Sequence, residues 1–326
     1  MKRFFEPSEM IINPDGSIFH LHLRPDQLCD RIILVGDPAR VNIVAANFDT
    51  RDFEVQSREF HTIGGTFRGQ RVMCLSHGIG PDNIDIVINE LDALANVDFA
   101  TRKIRAEKRV LTMVRIGTSG ALQPELDLGT PVIAEKAIGF DGVLNYYAGR
   151  NSVADLDFEN AFTADTDWNP LWARPYVVDA DSELVSRIGR DDMVRGNTIS
   201  AVGFYGPQGR ELRLPLANPG LNRSIEDFRF NGRKITNYEM ESAPLQGLSR
   251  LMGHKAMTVC TIIANRMNGN ARPNYKSAVT DLISTVLDRL VDCFYRPVSP
   301  KAEPQRRQRC FKAVTKPLKN NRYDTY

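Results

Sequence analysis

The chain of 326 residues is 42% hydrophobic and 25% charged, with a formal net charge of +2, as in an ordinary globular protein that can bury a large core. No apolar run approaches the roughly 18 residues of a membrane span, and the opening MKRFFEPSEMIINPDGS turns polar and proline-rich after two phenylalanines, unlike a secretory leader. The five cysteines (Cys29, Cys74, Cys260, Cys293 and Cys310) are odd in number and scattered, which suits reduced cytoplasmic thiols better than a disulfide framework or a zinc site.

Strand and helix signals alternate along the chain. RIILVGD is a short apolar run ending at Gly36, and PARVNIVAANF follows with helical spacing at Val41, Val44 and Ala45. Asp37 suits the cap of that helix and Pro38 its first position, where no intrahelical N–H is required. RGQRVMCLSHGIG repeats the pattern, leading into DNIDIVINELDALANV with Ile84, Val87, Leu91 and Leu94 on one face. RVLTMVRIGTSG and KAMTVCTIIANR read as two more apolar strands. SAVTDLISTVLDRLVDCFY places Val279, Leu282, Ile283, Val286, Leu287, Leu290, Val291 and Phe294 at spacings of three and four, an amphipathic helix. Such strand–turn–helix units predict an α/β fold with a largely parallel sheet.

No internal repeat or glycine–serine linker divides this body, so residues 1–296 are expected to form one domain. The tail from Pro297 carries four Lys, four Arg, one Glu and one Asp; it is therefore +6 and leaves −4 for the rest. It has four prolines and no strand or helix periodicity, and residues 297–326 read as a disordered extension. A solvated basic tail is favoured over a nucleic-acid contact, because arginines and aromatics do not interleave as they do in single-strand binders.

In open α/β sheets ligands sit beyond the carboxyl ends of the strands, and four such ends stand out. At Gly36-Asp37-Pro38-Ala39-Arg40 a glycine turn meets a helix N-terminus with an arginine one turn in, an arrangement that favours an anion, although GDP is a common turn. Arg115 lies in a strand so apolar that its charge must be paired, either by an Asp or Glu or by an anion cradled at the adjacent Gly117-Thr118-Ser119-Gly120. No P-loop lysine accompanies this cradle, which argues against nucleoside triphosphate chemistry. In FYGPQGREL, Gln208 and Arg210 offer donors and an acceptor to a planar ring with carbonyls, and Phe204 a stacking face; taken alone the stretch reads as a surface loop. In NYEMES, Glu241 suits two vicinal hydroxyls with Met240 against a sugar's apolar face, while a first-turn acid is the plainer explanation.

Taken in order, IFHLHL, ILVGDPARV, SREF, SHGIG, RIGTSGALQPELDLGTPVI, FYGPQGR, NYEMES and IIANR resemble a nucleoside phosphorylase of the uridine phosphorylase type over most of residues 18–295. The resemblance implies a three-layer α/β/α sandwich with a mixed, largely parallel central sheet, assembled as a hexamer built from dimers. It implies that Gly36, Arg40, Arg115 and Thr118 hold inorganic phosphate, joined by Arg58 from a neighbouring subunit. His20 would cross the same interface to the ribose 5′-hydroxyl, Met240 and Glu241 would hold the ribose, and Glu239 would stand in support. Phe204, Gln208 and Arg210 would bind uracil, with Arg266 on the O4 side of the base. Arg115, Glu241 and Arg266 are the expected catalytic groups.

The implied reaction is phosphorolysis of uridine or a related pyrimidine nucleoside to uracil and ribose 1-phosphate, a nucleoside salvage step in the cytoplasm. It calls for phosphate as co-substrate and for no cofactor or metal, membrane or nucleic acid. Some family members hold a monovalent cation beside the residue matching Glu59; Pro81-Asp82-Asn83 departs from the family pattern there and argues against a potassium site. Three alternatives share the scaffold: a purine nucleoside phosphorylase, a hydrolytic nucleosidase, and a non-catalytic nucleoside-binding or storage protein. Gly36, Arg40, Arg58 and Arg115 weigh against hydrolysis.

Overall fold

A computed structural model describes residues 4–271 and 274–292. The basic tail, Phe294, Cys293 and Cys310 lie outside the described residues. The chain begins with β1 (Arg31–Val35), α1 (Pro38–Ala45), β2 (Thr50–Ser57), β3 (Phe60–Phe67), β4 (Gln70–Ser76) and α2 (Pro81–Asn96). Short strands β5 (Val97–Asp98) and β6 (Lys103–Ile104) precede β7 (Thr112–Ala121), β8 (Pro131–Gly139), α3 (Leu156–Asp165), β9 (Tyr176–Asp179) and α4 (Ser182–Gly189). Then come β10 (Val194–Ser200), α5 (Leu221–Asp227), β11 (Arg229–Phe230), β12 (Arg233–Glu239) and α6 (Ser242–Met252). Strands β13 (Lys255–Asn265) and β14 (Asn270–Ala271) and helix α7 (Lys276–Val291) complete it.

The sheet runs β11-β12-β10-β8-β13-β7-β1-β4-β3-β2, with β9 on β8 and β14 on β13. Strands β4, β1, β7 and β13 are mutually parallel, as are β8, β10 and β12, while β13 meets β8 antiparallel and β3 and β2 return antiparallel beside β4. An extra antiparallel pairing of β12 with β7 (Tyr238 opposite Gly120) closes β7, β13, β8, β10 and β12 into a ring. The sheet is therefore mixed and partly rolled.

Period-two alternation within the strands feeds two core layers. On one face Ile32, Leu34, Met73 and Leu75 pack with α2 and α6; on the other Ile33, Val35, Cys74 and Val114 pack with α1, α4 and α7. The apolar stripe of α2 is buried at Ile84, Val87, Leu91 and Leu94, and that of α7 from Val279 to Val291. Asp37 caps α1 by accepting from the Ala39 N–H at 2.9 Å. A third cluster, built on Phe158, Phe162, Leu221 and Ile225, joins α3 and α5 to the sheet beneath the 201–220 loop.

Candidate active site

The strand ends singled out in the sequence open into one cavity of about 720 Å³. Gly36 follows β1, the 117–120 turn belongs to β7, Tyr238–Glu241 end β12, and Phe204, Gln208 and Arg210 come from the loop after β10; all line it. Arg40 lines it too, its Nη1 donating to the Ile116 carbonyl at 3.4 Å.

Arg115 is 4% exposed, and its partners resolve the question the sequence left open. Its Nη1 is 2.8 Å from Glu239 Oε2 and 3.5 Å from the Cys260 thiol, its Nη2 donates to Glu241 Oε2, and its Nε donates to His77 Nε2 at 3.2 Å. A guanidinium carries five N–H donors. Hydrogen bonds engage three of them, one each on Nε, Nη1 and Nη2, and Glu239 adds an ion pair at Nη1, so an N–H on Nη2 remains for a ligand. Burial opposes the Arg115 charge, but Glu241 and then Glu239 outweigh it and raise the pKa.

The two carboxylates of NYEMES have separate anchors. Glu239 accepts from the Glu241 N–H at 2.9 Å and from the Ser242 N–H at 3.1 Å, and also takes the Ser242 hydroxyl. It caps α6 from below. Glu241 Oε1 accepts from the Gly80 N–H at 2.8 Å, at the N-terminus of α2. Each charge thus sits where a helix dipole favours an anion. Burial nevertheless raises the pKa of Glu241, against the pull of Arg115. The sequence assigned Glu239 only a supporting place near the sugar, whereas the structure makes it a buried partner of Arg115.

Thr118 lies half-buried on the cavity wall beside Ser119, whose buried hydroxyl has no partner among the described residues. Gly117 has no room for a side chain: a Cβ there would stand 2.9 Å from Arg115 Nη1 and from Cys260 Sγ. The Cys260 thiol is pushed up to about 12 by burial.

Gln208, also on the lining, is 3% exposed. Its side-chain oxygen accepts from Arg210 Nη1 at 2.6 Å and Arg266 Nη2 at 3.4 Å, and its carbonyl accepts from Asn222 at 3.2 Å and from Arg266 Nη1. The Arg210 guanidinium stacks 3.8 Å from the Phe204 ring centroid, so that face of Phe204 is already taken by an arginine. Burial and the nearby Arg266 lower Arg210 to about 10.

Three expected residues stand elsewhere. Arg266 does not line the cavity; it sits behind Gln208, 5.0 Å from the Tyr238 ring centroid, and acts on the wall through the glutamine. His20 is paired with Glu90 at 2.6 Å, in a different surface pocket. Arg58 is exposed in the β2–β3 turn at φ +56°, 5.8 Å from the Phe19 ring. Neither reaches the cavity of its own chain, and both belong to one surface around Phe19. Glu59 borders the cavity beside Gly78 and Asn83. Among the described residues no group of three His, Cys, Asp or Glu side chains is placed to hold a metal ion, and no helix is long and apolar enough to cross a membrane.

Comparison with known proteins gives the family. Residues 30–294 match the model of the phosphorylase superfamily. The chain belongs to that superfamily. It is 27% identical over 269 residues to the uridine phosphorylase of Thermococcus kodakarensis, covering 81% of this chain and 83% of that one. To the uridine phosphorylase of Escherichia coli it is 30% identical over 254 residues, covering 77% and 87%. A Trypanosoma brucei nucleoside phosphorylase, whose crystal structure was described as showing uridine phosphorylase activity, superposes with a TM-score of 0.79 at 26% identity, covering 86% of this chain and 99% of that one. The motif resemblance and these matches name the same family. His77, within SHGIG, carried no expected role, yet it is fully buried against Arg115.

Proposed function

We propose that the protein is a pentosyltransferase that cleaves uridine with inorganic phosphate, giving uracil and ribose 1-phosphate. The observation that carries this reading is that one cavity gathers an anion side of Gly36, Arg40 and Thr118, the carboxylate of Glu241 and the Gln208–Arg210 pair. Phosphate held on the anion side faces the anomeric carbon of a ribose whose hydroxyls donate to Glu241. A phosphate oxygen forms the new C1′–O bond as the C1′–N1 bond breaks, and the pair of electrons leaves with uracil, which takes up a proton. Positioning of the nucleophile by guanidinium groups is worth up to roughly 7–11 kcal/mol in well-oriented systems. Gln208, braced by Arg266, and Arg210 oppose the charge that develops on the departing base. A pyrimidine is favoured over a purine because the donors on this wall match ring carbonyls and the curated relatives described above are uridine phosphorylases.

The same reading makes the protein a cytoplasmic salvage enzyme and a hexamer built from dimers, with Arg58 and His20 completing the partner's site; their shared position outside their own cavity supports this. The deciding assay is uracil release from uridine with and without phosphate. Release should be nearly silent without it. Equal rates in both buffers would make the protein a hydrolytic nucleosidase, and faster cleavage of inosine would overturn the base assignment.

A further inference from the structure

We propose that His77 is a positioning residue for phosphate: by accepting the Nε–H of Arg115 it fixes the plane of the guanidinium and aims the one uncommitted Nη2 N–H at the anion. This rests on the phosphorolysis reading above and deepens it. The two carboxylates hold only the outer nitrogens of Arg115, and a guanidinium gripped along that edge alone is free to tilt. His77 supplies a third anchor at the inner nitrogen, at 3.2 Å, off the line of the other two. Three contacts that are not collinear define a plane.

The imidazole is itself held. It is fully buried, its backbone N–H donates to the Val35 carbonyl at 2.9 Å, and its Nδ1 has no hydrogen-bond partner among the described residues, so burial and the backbone fix the ring. A Cβ built on Gly36 would come within 3.7 Å of His77 Cε1 and 3.2 Å of the Gly78 carbonyl. The ring therefore lies directly beneath the glycine turn that begins the anion side. His77 bridges the two elements, β1 and β7, whose ends must share one phosphate. A charged imidazole would present an N–H to Arg115 instead of a lone pair. Burial, then Arg115 and Arg40, hold its pKa well below the ordinary histidine value, against a raising contribution from the Gly78 backbone. With Nε2 accepting, the proton resides on Nδ1.

The test compares His77→Leu, which fills similar volume without an acceptor, with His77→Gln, whose side-chain oxygen reaches the Nε2 position. Steady-state kinetics with uridine and calorimetric titration with inorganic phosphate alone are read for each, with thermal unfolding as the check on folding. In His77→Leu the phosphate KM and Kd should rise roughly 10- to 100-fold, while the uridine KM moves less than about threefold. His77→Gln should recover most of the phosphate affinity. Equal phosphate affinity in all three proteins overturns the proposal, as does a parallel loss of phosphate and uridine affinity in both variants, which marks a structural role. If the unmodified protein binds phosphate but does not cleave uridine, the functional reading fails while the calorimetric arm still decides the role of His77.

Discussion

The two walls of the cavity are built in different ways. The floor, Arg115 with Glu239, Glu241 and His77, stands on strands and helix N-termini and is buried to 6% exposure or less at every member. The wall around Gln208 and Arg210 hangs on the loop between β10 and α5, where Phe204 is 50% exposed and Leu212 and Leu214 are above 70%. Beyond Ala201 at its start, only Gln208 on that loop is buried, where Arg266 and Asn222 grip it. Beneath the far side of the loop lies a second, apolar cavity of about 790 Å³ lined by Phe140, Trp168 and Trp172, with Asp141 among them. A floor fixed by strand register tolerates little. The other wall rests on far fewer buried contacts, so substitutions there should disturb the fold less.

The sharpest break in that comparison is Arg115→Met. It leaves two buried carboxylates without their cation, a loss of about 3–5 kcal/mol. Thermal unfolding should fall by on the order of 10 °C and turnover by at least about a hundredfold. An unchanged melting temperature would show that the floor is not the rigid element described. On the base side, Gln208→Ala and Arg210→Ala should each lower kcat/KM for uridine roughly 10- to 100-fold, with melting shifted by less than about 2 °C and the phosphate KM unmoved. A phosphate KM that rose with the uridine KM would join the two walls into one unit.

A third measurement asks whether the floor is complete within one chain. Arg58→Ala and Glu241→Ala, each nearly inactive alone, should regain activity when subunits exchange. A mixed pair rebuilds one intact site, so with random pairing about a quarter of all sites recover. If differential tags show mixed oligomers and activity stays absent, Arg58 does not serve a neighbour's cavity.

The smallest effect probes the space under the loop. Burial pushes Asp141 up to about 6 from an ordinary 3.8, with Tyr176 and the Val143 N–H as its hydrogen-bond donors. Between those two values the folded chain binds a proton that the unfolded chain has released. The stabilisation is therefore complete below pH ~3.8 and is lost as pH rises to about 6. Asp141→Asn should flatten this slope, gaining melting temperature relative to the parent at pH 7.5 compared with pH 5. An equal difference at both values would place Asp141 in contact with water.

Much of this was readable along the chain. The stripes of α2 and α7 and the Asp37 cap follow from spacing over a few residues, because a helix or cap is settled by neighbours in sequence. The antiparallel pair β2 and β3 and strands β8 to β12 escaped notice. β2 alternates only between exposed and half-buried positions, and β8 and β10 do not alternate at period two, so pairing partners rather than a local signal make them strands. For the site, the sequence demanded a counter-charge for Arg115 and supplied two acids at Glu239 and Glu241, yet did not connect them.

What the sequence by itself determined is the α/β alternation, the strand-end motifs and hence the family, since these depend on residue type at short spacing. Tertiary structure alone decided that Glu241 meets Arg115 across 126 residues, that Arg266 stands behind Gln208, and that β12 closes onto β7. The reason is physical. A buried charge requires a partner wherever it sits, but which partner it meets is set by strand register and by the ring closure of the sheet, and neither leaves a mark at short range.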